Sequence, residues 1–294
     1  MTDPAPVGPT DTAALPHRVG VVGGGRMGAG IAHAFLTSGC DVTVTDTDQD
    51  RADAARERIL ASVQKSIDRG QDVDAADCAR RLTAAASVGA LEDRELVVEA
   101  VPEDWDLKVR TLQSVRAVLP AGAVLATNTS SLSVDRLAEH LEEPARFLGL
   151  HFFNPVPAST LIEVVLGERT DESTAQAARG WAEALGKTPV VVRDAPGFAS
   201  SRLGVAIALE AMRMVEEGVA SAEDVDLAME LGYRHPTGPL RTTDIVGLDV
   251  RLGIAAYLHR ELGERFAPPQ ILRDKVARGE LGRKTGKGFF DWPQ

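Results

Sequence analysis

At 294 residues the chain is long enough for two domains, each with a core of its own. Its apolar fraction of 44% is ordinary while aromatic residues make up only 4%, so those cores are mainly aliphatic. A net charge of −11 argues against nucleic acid as a partner. The two cysteines, Cys40 and Cys78, form no metal-ligand or disulfide pattern and read as reduced thiols of a cytosolic protein, and no apolar run approaches the length of a membrane span or secretion signal.

Residues 1–16 carry four prolines and no apolar periodicity, and are expected to be a disordered leader. Val19, Val21 and Val22 predict a buried strand, and residues 26–38 a helix with Met27, Ile31, Ala34 and Phe35 on one face. Between them stands G-x-G-x-x-G, as Gly23, Gly25 and Gly28. The first glycine makes the tight turn, the second lets a pyrophosphate approach the backbone, and the third allows close packing of helix on strand; the helix N-terminus offers N–H groups to the phosphates. A second strand, 41–46, ends in Asp46, where a carboxylate bonds the ribose hydroxyls. The same charge would repel a 2′-phosphate, so the pattern favours NAD over NADP.

Residues 48–70 predict a long helix whose polar face carries Arg51, Arg56, Arg58, Lys65 and Arg69, and 74–81 a short one. This insertion is either a solvated helical hairpin or a basic arm reaching for an anionic ligand. The segment 95–104, ELVVEAVPED, predicts a buried parallel strand with Glu99 and Glu103 at its carboxyl end, the edge where open α/β sheets bind ligands. A helix over 105–119 and a strand over 123–127 follow, the strand opening into Asn128, Thr129, Ser130 and Ser131. Ser131 and Ser133 suit capping of a helix over 133–141, whereas Asn128 and Ser130 suit ligand contact. A strand over 146–154 contains His151 among aromatic residues, and LIEVV at 161–165 buries Glu163, which needs a partner. A histidine on an apolar strand is commonly a satisfied core residue; the strand-end position and a nearby carboxylate make His151 a candidate for chemistry.

Residues 171–185 predict a helix, 188–192 a last strand, and 194–197 (DAPG) a hinge. Beyond it the pattern is helical: 201–217, a capping-box start at Ser221 running to 231, then 243–262 and 269–278. Alternating strands and helices followed by helices alone predict an α/β, Rossmann-like dinucleotide-binding domain over 17–196 with the helical arm as an insertion, and an all-α domain over 197–294.

GGGRMGAGIA, VVEAVPED, TNTSSL, HFFNPVP at 151–157, LIEVV, DAPGF, GPLRTTDIVGLD and GRKTGKGFF occur in that order between about Arg18 and Trp292. In these motifs the chain resembles the L-3-hydroxyacyl-CoA dehydrogenases, including 3-hydroxybutyryl-CoA dehydrogenases. The resemblance implies reversible, NAD-dependent oxidation of the 3-hydroxyl of an acyl-CoA to a ketone, on short chains such as 3-hydroxybutyryl-CoA. It implies His151 as general base, Glu163 orienting the imidazole and stabilising its charged form, Ser130 bonded to the reacting oxygen, and Asn154 placing nicotinamide and substrate. It puts Gly23, Gly25, Met27, Gly28, Asp46, Ala100 and Asn128 around the cofactor, Glu103 with Lys108 or Arg110 near its ribose and nicotinamide end, and Ser62 and Arg69 of the arm on CoA. It also implies a cytoplasmic homodimer of fatty acid metabolism, joined through the helical domain by the apolar faces around 203–214 and 245–257, with no metal.

One departure stands out. Where the family reads D-x-P-G-F-x-x-N-R this chain reads DAPGFASSR, so Ser201 replaces an active-site asparagine. Serine keeps a donor and an acceptor but is shorter, and altered substrate positioning is expected. Three other readings are outweighed. A gulonate-type dehydrogenase acting without CoA shares VPED but not HFFNPVP or GRKTGKGFF. A catalytically silent dinucleotide-binding protein has no need to keep Ser130, His151, Glu163 and Asn154 together. A β-hydroxyacid dehydrogenase uses a second-domain lysine, and no lysine occurs between Lys187 and Lys275.

Overall fold

The structure, a computed structural model, describes residues 14–293; of the leader expected over 1–16, residues 1–13 lie outside them. The chain divides into two compact units, one ending at Asp194 and one beginning at Ala195.

The first unit is built on one eight-stranded sheet: β1 (Arg18–Val22), β2 (Asp41–Thr45), β3 (Leu82–Ala85), β4 (Leu96–Glu99), β5 (Val124–Thr127), β6 (Phe147–Phe152), β7 (Leu161–Leu166) and β8 (Thr188–Arg193). Their order is β3-β2-β1-β4-β5-β6-β7-β8. The first six are mutually parallel, β7 is antiparallel to β6, and β8 is parallel to β7. Successive residues on a strand face opposite sides, and the neighbours Val97 and Val98, like Leu125 and Ala126, are all buried. Both faces are therefore covered, which is why these strands read as continuous apolar runs.

The helices of this unit are α1 (Arg26–Thr37), α2 (Gln49–Asp68), α3 (Ala75–Arg81), α4 (Trp105–Arg116), α5 (Val134–Ala138) and α6 (Glu172–Ala184). Asp48, Asp104 and Asp171 cap α2, α4 and α6, each accepting a backbone N–H from the first turn. Helix α2 buries Ala52, Ala55, Ile59, Val63 and Ser66, a stripe at helical spacing that leaves the basic residues outside. Because β2 and β4 flank β1, the chain switches direction across the sheet there, and the parallel strands deliver Gly23, Ala100, Asn128 and His151 to the same edge.

Two local features depart from the sequence reading. Strand β3 adds an edge to the sheet where none is expected: LTAA is short and alanine-rich, and its strand state comes from pairing with β2 in register Val42↔Leu82. The helix expected over 133–141 shortens to α5.

The second unit packs α7 (Ser200–Glu216), α8 (Ala222–Tyr233), α9 (Pro239–Val246), α10 (Leu248–Leu262) and α11 (Gln270–Ala277) around Val205, Leu209, Met212, Leu240, Leu258 and Phe266. Here the single helix expected over 243–262 is two, broken at Gly247, whose φ of +108° lies outside what other residues readily adopt. The break frees α9 to aim buried Asp244 at the C-terminal segment. Its carboxylate accepts the N–H groups of Phe289 (2.9 Å) and Phe290 (2.9 Å) and the indole of Trp292 (2.8 Å). The sequence motifs GPLRTTDIVGLD and GRKTGKGFF are thus two halves of one fastening. Among the described residues no helix is long and apolar enough to cross a membrane, and both cysteines are free and buried.

Candidate functional site

The glycine turn follows β1 directly. Gly23 has φ +96°, the left-handed region that glycine adopts without strain. A Cβ on Gly28 would sit 1.7 Å from the Gly23 carbonyl oxygen, so only glycine lets α1 lie this close to the turn. A Cβ on Gly25 would meet nothing within 4 Å: the N-terminus of α1 opens onto space at the position where a pyrophosphate would need to approach the backbone. Met27, half-buried, occupies the first turn of α1. Asp46 stands just beyond β2, with one oxygen taking the N–H of Gly24 (2.8 Å) and the other that of Thr47 (2.8 Å). The carboxylate is thereby held against the turn. This open cradle, with an oriented carboxylate beside it, fits a dinucleotide.

The ends of β4 and β5 form a second, charged layer. Glu99 is fully buried, and Lys108, 1% exposed, reaches it from α4 at 2.8 and 3.1 Å. The Val101 N–H and the Thr127 hydroxyl supply two more hydrogen bonds to this carboxylate. So the Lys108 ammonium, expected beside the cofactor, is committed to Glu99 and the Val101 carbonyl, with Glu103 at 3.5 Å. It braces the segment carrying Ala100 and Glu103, whereas Arg110 is exposed.

Glu103 in turn receives the hydroxyl of Thr129 (2.6 Å), the N–H groups of Ser130 (3.0 Å) and Ser131 (3.1 Å), and the Ser131 hydroxyl. Burial works to raise its pKa, but Lys108 and these hydrogen bonds outweigh that and hold it below the usual glutamate value. The effect is to fix the Ser130 backbone. Asn128 spends its carbonyl oxygen on the Phe152 N–H (2.8 Å), stitching the end of β5 to that of β6; what it can offer a ligand is its amide N–H2. Ser133 caps α5, as its position suggests.

His151 and Glu163 lie directly opposite one another in the β6–β7 register. Nδ1 of the imidazole and Oε2 of the carboxylate are 2.8 Å apart, with side-chain exposures of 8% and 1%. An ionised carboxylate can only accept, so Nδ1 carries the proton and the lone pair of the neutral ring sits on Nε2. The ring of Phe153 packs against the imidazole at 4.4 Å between centroids. Three residues after His151, Asn154 is exposed at the start of the loop joining β6 to β7.

On the arm, Ser62 is half-buried and Arg69 exposed at the C-terminal end of α2. Near the other end of that helix Ala55 packs on Gly24, where a Cβ would come within 2.2 Å, and the Arg58 guanidinium donates to the Gly24 carbonyl. The sequence reading missed Thr127 and Thr129 as supports of the two glutamates. A threonine on either side of Asn128 was the available signal, but it does not say which acid each would meet. Ser201 belongs to the second unit, half-buried in the first turn of α7.

Comparison with known proteins gives a consistent result. The profile described as 3-hydroxyacyl-CoA dehydrogenase, NAD binding domain, matches residues 18–195, and that of the C-terminal domain of the same family matches 197–292. A 3-hydroxybutyryl-CoA dehydrogenase of Mycobacterium tuberculosis is 41% identical over 280 residues, 94% of this chain and 98% of the relative. A probable 3-hydroxybutyryl-CoA dehydrogenase of Deinococcus radiodurans is 39% identical over 277 residues, 94% of this chain and all of the relative. The crystal structure of (S)-3-hydroxybutyryl-CoA dehydrogenase from Ralstonia eutropha superposes with a TM-score of 0.91 at 35% identity, covering 95% of this chain and 100% of that one.

Proposed function

The chain belongs to the 3-hydroxyacyl-CoA dehydrogenases, NAD-dependent oxidoreductases acting on a CH–OH group, and from that premise we propose how its residues divide the work and which substrates it takes. The observation that carries the reading is the His151–Glu163 pair at the sheet edge that also bears the glycine turn. His151 Nε2 takes the proton of the 3-hydroxyl. Glu163 fixes the ring through Nδ1 and offsets the positive charge that develops when the proton arrives. Bound NAD supplies the two-electron acceptor for C3. Gly23, Gly25, Met27 and Gly28 would hold its pyrophosphate and Asp46 its ribose, with Ala100, Glu103 and Asn128 as the remaining contacts of the cofactor. Ser130, its backbone set by Glu103, hydrogen-bonds the reacting oxygen, and Asn154 positions nicotinamide and substrate. Lys108 serves by bracing Glu99 and Glu103.

The substrate is a short-chain (S)-3-hydroxyacyl-CoA, as the names of the relatives support. Ser62 and Arg69 are the arm's contacts to CoA. Ser201, where the family motif carries asparagine, is assigned to tuning substrate position: Ser201→Asn is expected to change the relative kcat/KM among acyl-CoAs, and identical constants for every chain length would refute that role. A homodimer formed through the second unit is supported by its exposed Leu203, Leu227, Leu231, Tyr233, Ile245 and Val250. Light scattering of the purified protein tests it. A cytoplasmic place in fatty acid metabolism accords with the reduced cysteines and CoA substrate.

The deciding assay follows NADH oxidation with acetoacetyl-CoA, free acetoacetate and longer 3-ketoacyl-CoAs. Turnover is expected with acetoacetyl-CoA and declines with chain length. Turnover of free acetoacetate without any thioester would overturn the proposed substrate class.

A further inference from the structure

The loop from Phe153 to Thr160 leaves His151 on β6, carries Asn154, and returns to Glu163 on β7. It is exposed at Asn154, Pro155, Pro157 and Ala158, yet it is tied down from two sides. On one side Val156 is 2% exposed and packs on α1, where a Cβ on Gly30 would lie 2.8 Å from both Cβ and Cγ2 of Val156. On the other, Lys187, at the start of the chain entering β8, is 9% exposed and donates to the carbonyls of Val156 (2.8 Å) and Ser159 (2.5 Å).

Both of these hydrogen bonds go to backbone carbonyls rather than to a carboxylate. Such carbonyls in a hairpin loop are readily satisfied by water, whereas burying an ammonium carries a desolvation cost, which is also why the Lys187 pKa is lowered. A group retained at that cost must do something water cannot: fix where the carbonyls stand. Helix α1 begins at the glycine turn, so the same loop touches the cofactor element through Val156 and the acid–base pair through its own two ends.

We propose that Lys187 is a positioning residue, clamping residues 153–160 between α1 and β8 so that Asn154 is held at a set distance from His151 and from the cofactor element at the glycine turn. The inference rests on the roles given above to His151 and Asn154. Loosening the clamp leaves the His151–Glu163 pairing to the strands but lets Asn154 wander, and a misplacement of about 1 Å can cost on the order of a hundredfold in rate.

The test compares wild type, Lys187→Met and Lys187→Arg by hydrogen–deuterium exchange over residues 153–160, by NADH affinity from fluorescence titration, and by kcat and KM for acetoacetyl-CoA. In Lys187→Met, exchange at Ala158 and Ser159, whose N–H groups now bond the Pro155 carbonyl, should rise at least about tenfold. NADH affinity should stay within about threefold while kcat falls about tenfold or more, and Lys187→Arg should recover most of kcat. Unchanged exchange overturns the clamp. Raised exchange with kcat near wild type overturns its part in catalysis, as does a loss confined to NADH affinity or thermal midpoint. If Lys187→Met does not fold, Gly30→Ala presses on Val156 from the other side and should produce the same pattern. A wild type that ignores acetoacetyl-CoA, or a fully active His151→Gln, refutes the functional assignment instead, and the exchange data still decide the clamp.

Discussion

Replacing Glu163 by glutamine tests the centre of the mechanism, because it keeps the size and hydrogen-bonding reach of the side chain while deleting its charge. In the ground state little changes, since a neutral imidazole can still donate from Nδ1 to the amide oxygen. As the substrate proton arrives the ring becomes a cation, and in the wild type a carboxylate with 1% side-chain exposure waits 2.8 Å away. With charge centres about 4 Å apart and an effective dielectric of about 20, the lost attraction is about 4 kcal/mol, or roughly a thousandfold in rate. Relaxation and the amide dipole recover part of this, so kcat for (S)-3-hydroxybutyryl-CoA oxidation should fall about 100- to 1,000-fold. KM should move little, because the charge develops only in the transition state. Absorbance at 340 nm reports NADH formation, and NADH titration with near-ultraviolet circular dichroism checks that the variant is folded. A folded Glu163→Gln enzyme with kcat within about threefold of wild type would refute the charge-stabilising role.

Other outcomes follow from the same geometry. Gly25→Ala should leave the thermal midpoint of the apoprotein unchanged but weaken NADH binding more than about tenfold, because its Cβ would meet nothing within 4 Å and would project into the open space proposed for the pyrophosphate; unaltered affinity would place the cofactor elsewhere. Gly28→Ala should lower stability and affinity together, since its Cβ falls 1.7 Å from a backbone oxygen, and a normal thermal midpoint would contradict that packing. Asp244→Ala strands three donors of the C-terminal segment and should cost about 3 kcal/mol in urea unfolding, with less than about 1 kcal/mol arguing that the fastening is ornamental. Glu280 is pushed down to about 2 by hydrogen bonds from Arg278 and Lys275. A depressed acid stabilises the fold above its unfolded pKa and ceases to do so as pH falls through its folded one. Glu280→Gln should therefore melt below wild type at pH 7, and the gap should close between about pH 4.5 and 2; a gap independent of pH would exclude this linkage.

Much of the dinucleotide half was readable because its constraints are local. Gly23 and Gly28 answer to backbone geometry within a few residues, Gly25 borders open space at the start of α1, and Asp46 follows a strand whose length places it beside the turn. The need of Glu163 for a partner was equally readable, since a carboxylate in LIEVV cannot go unpaired. Other features answer to distant neighbours. LTAA is a strand only because β2 presents an unpaired edge, and the helical periodicity of 243–262 hides a break at Gly247 that leaves Asp244 bonded to Phe289, Phe290 and Trp292. Lys108 is placed beside the cofactor by the family resemblance alone; its burial against Glu99 is a tertiary fact that no local pattern announces.

The sequence by itself determined where glycine was obligatory, where an apolar run would become a buried parallel strand, and which acids and bases were available at the strand ends. The sequence already named His151 as the natural partner of Glu163; only the tertiary structure supplied the β6–β7 register that sets them opposite one another, and it alone decided the pairing of Glu103 with the serine turn and of Lys187 with the loop between β6 and β7. Backbone preferences and hydrophobic periodicity act over a few residues and leave their mark on the sequence. A hydrogen bond between groups 12 or 31 residues apart exists only once the sheet has brought them within 3 Å.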